Sequence, residues 1–311
     1  MTAAMQSAAP GRPVSQRQNA PDMVDLVCAS SHHYRRAKQW RRLRVAGTIG
    51  LALLAPVITF WAPSIGPAVA TAAGIWLFLA RILIARLEDK QMQYAVTAQE
   101  QFDTELFALP WHHALAGKPL AHQDVTDAAR HIDEEARATK KDWYPNADAA
   151  AWPLNVVLCQ QASAIWSRRS HGQYAEVLRG MVIAWFIAGV IMGWADGVSL
   201  AAYLVQLFLP SMPAFLDALE LADAHQKASE RKEKIEGMTS VLWARGLVDP
   251  ASVTTEEVRQ VQDHSYRQRR DNPQVAEWHY QLHRKHEENA MRQATQRRLD
   301  ELKQAGWLQG H

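Results

Sequence analysis

The chain has 311 residues, a formal charge of +2 and a mean hydropathy of −0.26. That charge balance excludes a protein that grips nucleic acid polymers by general basicity, and 48% hydrophobic content excludes a mostly disordered chain. Two cysteines, Cys28 and Cys159, exclude a disulfide scaffold and a four-thiolate zinc site.

The average conceals a sharp division. No charged residue occurs over residues 45–80, 180–195 or 197–216, so all 66 charges fall in the other 239 positions. This is the pattern of an integral membrane protein with soluble parts. In chain order, residues 1–31 are rich in Ala, Gln and Pro and lack the apolar core of a signal peptide. Arg35, Arg36, Lys38, Arg41, Arg42 and Arg44 then precede the first apolar run. That run is too long for one span of about 20 residues. Ala62-Pro63-Ser64 and Gly66-Pro67 break it, which predicts helices over 45–62 and 65–85. Residues 90–107 extend the second helix until Leu109-Pro110 stops it. An amphipathic helix is expected over 124–141, and a further region runs from Pro145 toward Tyr174 with an interruption at Pro153. The third span covers about 177–195, with Arg179 snorkelling to the headgroups. Asp196-Gly197 turns the chain into a fourth span over 198–219. Residues 220–245 continue that helix, Thr254-Thr255-Glu256-Glu257 caps another to Arg270, Asp271-Asn272-Pro273 breaks it, and a last helix covers 275–304.

No run of alternating β-branched residues occurs. The expected fold class is therefore an all-α integral membrane protein, with four transmembrane helices in two hairpins and cytoplasmic helical regions between and after them. The divisions are 1–44, 45–88, 89–176, 177–219 and 220–311. Arg81, Arg86, Arg168, Arg169, Lys227, Arg231, Lys232 and Lys234 also flank the apolar runs, whereas the two hairpin turns carry no Lys or Arg. Both termini and the middle segment are accordingly expected in the cytoplasm, with both cysteines as free thiols.

Three residue sets bear on chemistry. Asp196, Ser199, Tyr203, Gln206, Pro210, Pro213, Asp217 and Glu220 recur at spacings of three and four, one polar stripe along the fourth span. Lipid cannot satisfy such a stripe, so it faces protein or water. It either lines a channel in an assembly or bonds to neighbouring helices. Gly66, Ala70 and Gly74, and Gly189 and Gly193, allow close helix approach. Second, Trp111, Trp143, Tyr144, Trp152, Trp166 and Trp278 lie near Lys118, Lys140, Lys141, Arg168, Arg169, Arg267, Arg269 and Arg270. Aromatic faces with arginine forks can hold a nucleotide, and a tryptophan can equally serve core or interfacial packing. Third, His279, His283 and His286 share one helix face without a zinc signature, which reads as a solvated histidine face. No glycine-rich phosphate loop, nucleophile elbow or HExxH is present, so no enzyme is expected.

Gln101-Phe102-Asp103 with Leu106-Phe107-Ala108-Leu109-Pro110-Trp111 resembles the "FD…LFxLPW" signature of the SMODS-associated four-transmembrane pore-forming effectors. Arg17-Gln18, Tyr34-Arg35-Arg36-Ala37-Lys38, Trp143-Tyr144, Cys159-Gln160 with Trp166, and a block from Gln262-Asp263 through Tyr266, Arg270, Pro273, Val275, Trp278, Tyr280, Arg284 and Glu287 resemble further family blocks, in the family's order. Ser163, Ser167, Ser170-His171 and Ala276-Glu277 depart from the pattern. The resemblance implies a membrane effector of bacterial anti-phage defence in the inner membrane. A cyclic di- or trinucleotide would be its activating ligand, with no other cofactor, no metal and no DNA or RNA polymer. It points to Trp111, Trp143, Tyr144, Arg168, Arg169, Arg267, Arg270 and Trp278 as ligand-binding residues, and to Ser199, Tyr203, Gln206, Pro210 and Asp217 as the pore wall. Four helices of one subunit enclose no conduit, so a homo-oligomer, taken as a tetramer, follows. The competing reading is a membrane-anchored interaction protein with no conduction path.

Overall fold

The computed structural model describes residues 13–195 and 209–307, together with positions 197, 199, 201 and 204. All secondary structure among the described residues is helical. The chain divides into two compact units, one ending at Trp143 and the other beginning at Tyr144.

The first unit is a long antiparallel hairpin with small helices around its base. After the short α1 (Val14–Arg17), α2 runs unbroken over Pro21–Trp61, 41 residues. At 1.5 Å per residue that is about 60 Å, twice the thickness of a hydrocarbon core. A 3₁₀ turn at Pro63–Ile65 reverses the chain into α3 (Gly66–Leu79), as the proline pair predicts. A π-helical segment over Ala80–Ile84 follows, with the Ala85 N–H donating to Ala80 O, before α4 (Ala85–Phe107). Ala108 ends α4 in the left-handed region (φ 53°), because Pro110 disfavours a helical Leu109. After α5 (His113–Ala116), the helix expected over 124–141 is two pieces, α6 (His122–Ala129) and α7 (Glu134–Ala138). Asp133 breaks it by capping α7, accepting from the Ala136 N–H at 2.7 Å.

Polar rungs pin the register of this hairpin. Ser30 Oγ donates to Ala95 O at 2.9 Å, His33 meets Gln91 at 2.8 Å, and Trp76 Nε1 donates to Thr48 Oγ1 at 3.3 Å. The Trp76 ring lies so close over Gly47 that no side chain fits there. Where the charges begin, the buried Glu88 carboxylate takes Arg41 at 2.6 Å and Arg44 at 3.0 Å.

The second unit repeats the scheme. Its helix α8 (Leu154–Ala195, 42 residues) runs without a break through the expected start of the third span, and it packs along α9 (Leu209–Val248, 40 residues). Helix α10 (Thr255–Asp271) opens with a capping box between Thr254 and Glu257, and α11 (Glu277–Gln304) packs back on α8. Trp243, Val258, Val261, Tyr266 and Leu302 form the core, each at most 1% exposed.

Two helices among the described residues carry stretches long and apolar enough to cross a membrane, within Gly66–Phe107 and Leu154–Ile191. They expose Phe78, Leu83, Ile183 and Trp185 at 53–63%, which water disfavours and lipid accepts. Of the other two expected spans, most of the side chains of 45–62 and much of 198–219 lie outside the described residues.

The Glu88 cluster generates an asymmetric prediction. Arg41→Ala with Arg44→Ala leaves a buried carboxylate uncompensated and costs about 3 kcal/mol. Glu88→Gln releases two half-exposed arginines to water and costs about 1 kcal/mol. Chemical unfolding of detergent-solubilised protein ranks the two; equal losses would contradict the assignment.

Candidate functional site

The sequence-derived residues fall in several places. In the first unit, half-buried Trp111 donates from Nε1 to Gly117 O at 2.8 Å, closing the loop after Pro110, and Trp143 is half-buried at the unit's end. In the second unit, Tyr144 is buried. Arg168 pairs with Glu236 at 2.7 Å across α8 and α9. Arg169 pairs with the buried Glu287 of α11 at 3.1 Å. Trp278 is 55% exposed and lies edge-on to Tyr174, 6.2 Å between centroids. Arg267 and Arg270 are exposed on α10, with Arg270 held by Asp271 at 2.9 Å. On the stripe, Ser199 and Asp217 are exposed. Pro210 lies within α9, and Tyr203 and Gln206 lie outside the described residues.

A pocket of about 390 Å³ opens between α9 and α10. Helix α9 contributes Arg231, Lys234, Ile235 and Met238, and α10 contributes His264, Arg267, Gln268 and Asp271. Each set has the spacing i, i+3, i+4, i+7, one face of one helix. The pocket therefore arises where two such faces meet. Gln268 Nε2 donates to Arg231 O at 2.8 Å, and Arg231 Nη1 donates to Asn272 Oδ1 at 3.0 Å. These bonds tie the two helices beside the opening. Ile235 and Met238 supply an apolar surface. Arg267 was expected as a ligand residue. Arg231 and Lys234 entered the sequence reading only as flanking charge, and His264 and Gln268 not at all. The repeated spacing was visible, but not which helix faces which.

A match to the SMODS-associating 4TM effector domain covers residues 12–298. The chain belongs to this family. It is 23% identical over 228 residues, 71% of this chain and 76% of the relative, to a probable CBASS effector molecule of Bacillus cereus (strain VD146). No solved structure matches it.

Several residues that carry the resemblance to the 4TM effectors hold the second unit together. Gln160, from the Cys-Gln block, donates to Val258 O at 3.1 Å and to Gln262 Oε1 at 3.2 Å, joining α8 to α10. Trp166 stacks on Tyr280 with centroids 5.9 Å apart. Glu287 accepts from Arg169 and Gln173. These motif residues thus meet one another in contacts among α8, α10 and α11.

The histidine face expected on the last helix departs from that expectation. His286 is exposed and His283 half-buried, but His279 is fully buried, because Tyr174 of α8 packs over it at 5.2 Å. No grouping among the described residues suits a metal ion. Nearby, His171 Nδ1 and His225 Nδ1 lie 2.8 Å apart in the buried α8–α9 seam. One must donate and the other accept, so the pair holds together only while at least one ring is neutral. Burial, with His225 and Lys232 adding to it, pushes the His171 imidazole down to about 3. The unfolded chain binds that proton near pH 6.5, so the pair's stabilisation is complete above about pH 6.5 and declines as pH falls toward 3. The unfolding midpoint of detergent-solubilised protein should fall across that window. His171→Asn, which retains an acceptor, should flatten the decline; an unchanged profile would exclude the pair as its source.

Proposed function

We propose that this 4TM effector is a ligand-gated membrane pore of bacterial anti-phage defence, opened by a cyclic oligonucleotide on its cytoplasmic side. The observation that carries the reading is the continuity of the long hairpin helices. In α8 one uninterrupted helix, and in α3–α4 a helix carried through one π-helical segment, joins an exposed apolar half to a charged half rich in cations and aromatics. A ligand that draws the charged halves together can therefore move the apolar halves without an intervening linker. The relative's description as a probable CBASS effector, an effector of cyclic-oligonucleotide-based anti-phage signalling, supports the ligand class and the defence role.

In this reading the chain crosses the inner membrane four times, in two hairpins, with both termini and the middle segment cytoplasmic. Several copies assemble, four in the simplest arrangement, and Ser199, Tyr203, Gln206, Pro210 and Asp217 face the shared conduit. Trp111, Trp143, Tyr144, Arg168, Arg169, Arg267, Arg270 and Trp278 belong to the cytoplasmic halves that receive the nucleotide. No bond is made or broken in the ligand. It opens the pore only to the extent that it binds the open state more tightly than the closed one.

Reconstitution into dye-loaded liposomes tests the proposal. Leak should appear with at least one member of a panel of cyclic di- and trinucleotides and be absent without it. Ser199→Leu with Gln206→Leu should reduce the ligand-dependent leak by about tenfold or more, as expected when a conduit loses its polar wall. A protein that is only a membrane anchor would show no leak with any member of the panel, and a leak indifferent to the substitutions would not pass through this wall; either result rejects the pore.

A further inference from the structure

We infer that the pocket between α9 and α10 is where the activating ligand's phosphates are read, with Arg231, Lys234 and Arg267 taking phosphodiester oxygens and Gln268 Oε1 accepting an N–H from a base. This rests on the cyclic-oligonucleotide reading above and adds the location and chemistry of binding.

Four observations converge on it. First, among the described residues no acid pairs with Arg231, Lys234 or Arg267, whereas the arginines of the α8 seam are matched to Glu236 and Glu287. The one carboxylate at the rim, Asp271, is held by Arg270 at 2.9 Å. Three cations thus converge on one opening whose single lining carboxylate already has a cation of its own, an arrangement suited to an anion. Second, Gln268 is 9% exposed and its Oε1 has no hydrogen-bond partner, although its Nε2 is engaged by Arg231 O. A buried acceptor left open is costly unless something supplies a donor. Phosphate has no donor to give as a diester, so the complement is a ligand that carries both phosphate oxygens and an N–H, as a nucleotide does. Third, Ile235 and Met238 line the same cavity, and a polarisable thioether suits the flat face of a base. Fourth, about 390 Å³ lies within the range of small-molecule sites.

A phosphate could also come from a lipid headgroup. Position argues against that source. Arg231 lies 12 residues, about 18 Å of helix, beyond Leu219, where the fourth span is expected to end. One wall of the pocket is nevertheless α9 itself, the helix that carries Asp217. A ligand bridging α9 and α10 therefore acts directly on a helix of the proposed conduit.

The test uses the full chain in phosphatidylcholine nanodiscs, titrated with cyclic di-AMP, cyclic di-GMP, cyclic GMP–AMP and cyclic tri-AMP. Wild type should bind at least one. Lys234→Gln with Arg267→Gln should weaken that binding by about a hundredfold, and Gln268→Met by about tenfold, from loss of charge-assisted and buried hydrogen bonds. Arg267→Glu, at an exposed position, preserves the fold and should abolish binding. Arg130→Gln, in the other unit, should bind as wild type does. Inorganic pyrophosphate should compete only weakly, because it offers no base. Changing the nanodisc lipid to phosphatidylglycerol should shift the affinity less than twofold. Wild-type binding that survives the double substitution and Arg267→Glu would overturn the pocket while leaving the pore proposal standing. Strong competition by phosphatidylglycerol would assign the pocket to headgroups and overturn it too. Absence of binding to every nucleotide by folded wild type would overturn both.

Discussion

A continuous helix of about 40 residues cannot be contained in a bilayer. At about 60 Å it is twice as long as the hydrocarbon core is thick, so a helix of this length that enters a bilayer must pass from an apolar to an aqueous solvent partway along its length. That passage organises each unit. The apolar half can be covered by lipid and needs few internal partners. The charged half must pack its own core, and it does so with small helices placed beside it: α6 on α2, and α10 and α11 on α8 and α9. The change from apolar to charged sequence is marked by charges that water or a carboxylate can reach. In α2 these are Arg41 and Arg44, brought to Glu88; in α8 it is Arg179, next to Glu176.

Two long helices side by side have a second problem, which is register. Sliding one past the other by three or four residues exchanges similar apolar contacts for similar ones. Polar contacts at fixed heights remove that degeneracy, since a slip would leave buried groups without partners. In the second hairpin, Gln161 meets Ser240 at 2.9 Å, Arg168 meets Glu236, and His171 meets His225. Near its base, Leu154 fills the space that a side chain at position 246 would need, and Gly246 leaves it open. The first hairpin uses Ser30, His33, Thr48 and Glu88 in the same way. The buried polar residues of the charged halves are therefore as much a statement about alignment as about function. Arg169 and Glu287, which as sequence looked like part of a ligand site or a signature, also fix α11 on α8.

What the sequence made legible was whatever depends on near neighbours. The Thr254 capping box, the turn at Pro63, the end of α4 before Pro110 and the i, i+3, i+4 faces all rest on interactions within a few residues, and they lie where local rules put them. The basic cluster at 35–44 hid the continuity of α2 from Pro21, because a change from charged to apolar composition along a helix looks like a boundary. Asp124 to Lys141 has helical periodicity on both sides of Asp133, and only the cap shows that the two parts are separate. The burial of His279 depends on which helix passes over it. So does the meeting of the Arg231–Met238 face with the His264–Asp271 face. These are tertiary contacts, and one-dimensional spacing does not encode the partner.

The same length that creates the solvent problem also makes a lever. From Arg231 back to Leu209, α9 is one helical stretch of 23 residues, about 33 Å long. A bend or tilt imposed at the α9–α10 contact is carried along such a rod because each turn is hydrogen-bonded to the next; a flexible linker would absorb it. For the gating proposed above, the energetic requirement is modest. Shifting a closed-to-open ratio from 99:1 to 1:99 needs about 10⁴-fold tighter binding to the open state. Two charge-assisted hydrogen bonds made in one state and lost in the other are of that order. The Ala80–Ile84 segment adds a place where such motion can be taken up in the first unit. Its π geometry inserts one residue into the helical ladder between the exposed apolar stretch and Glu88. Interconversion between π and α geometry there would rotate the exposed apolar face relative to the charged half.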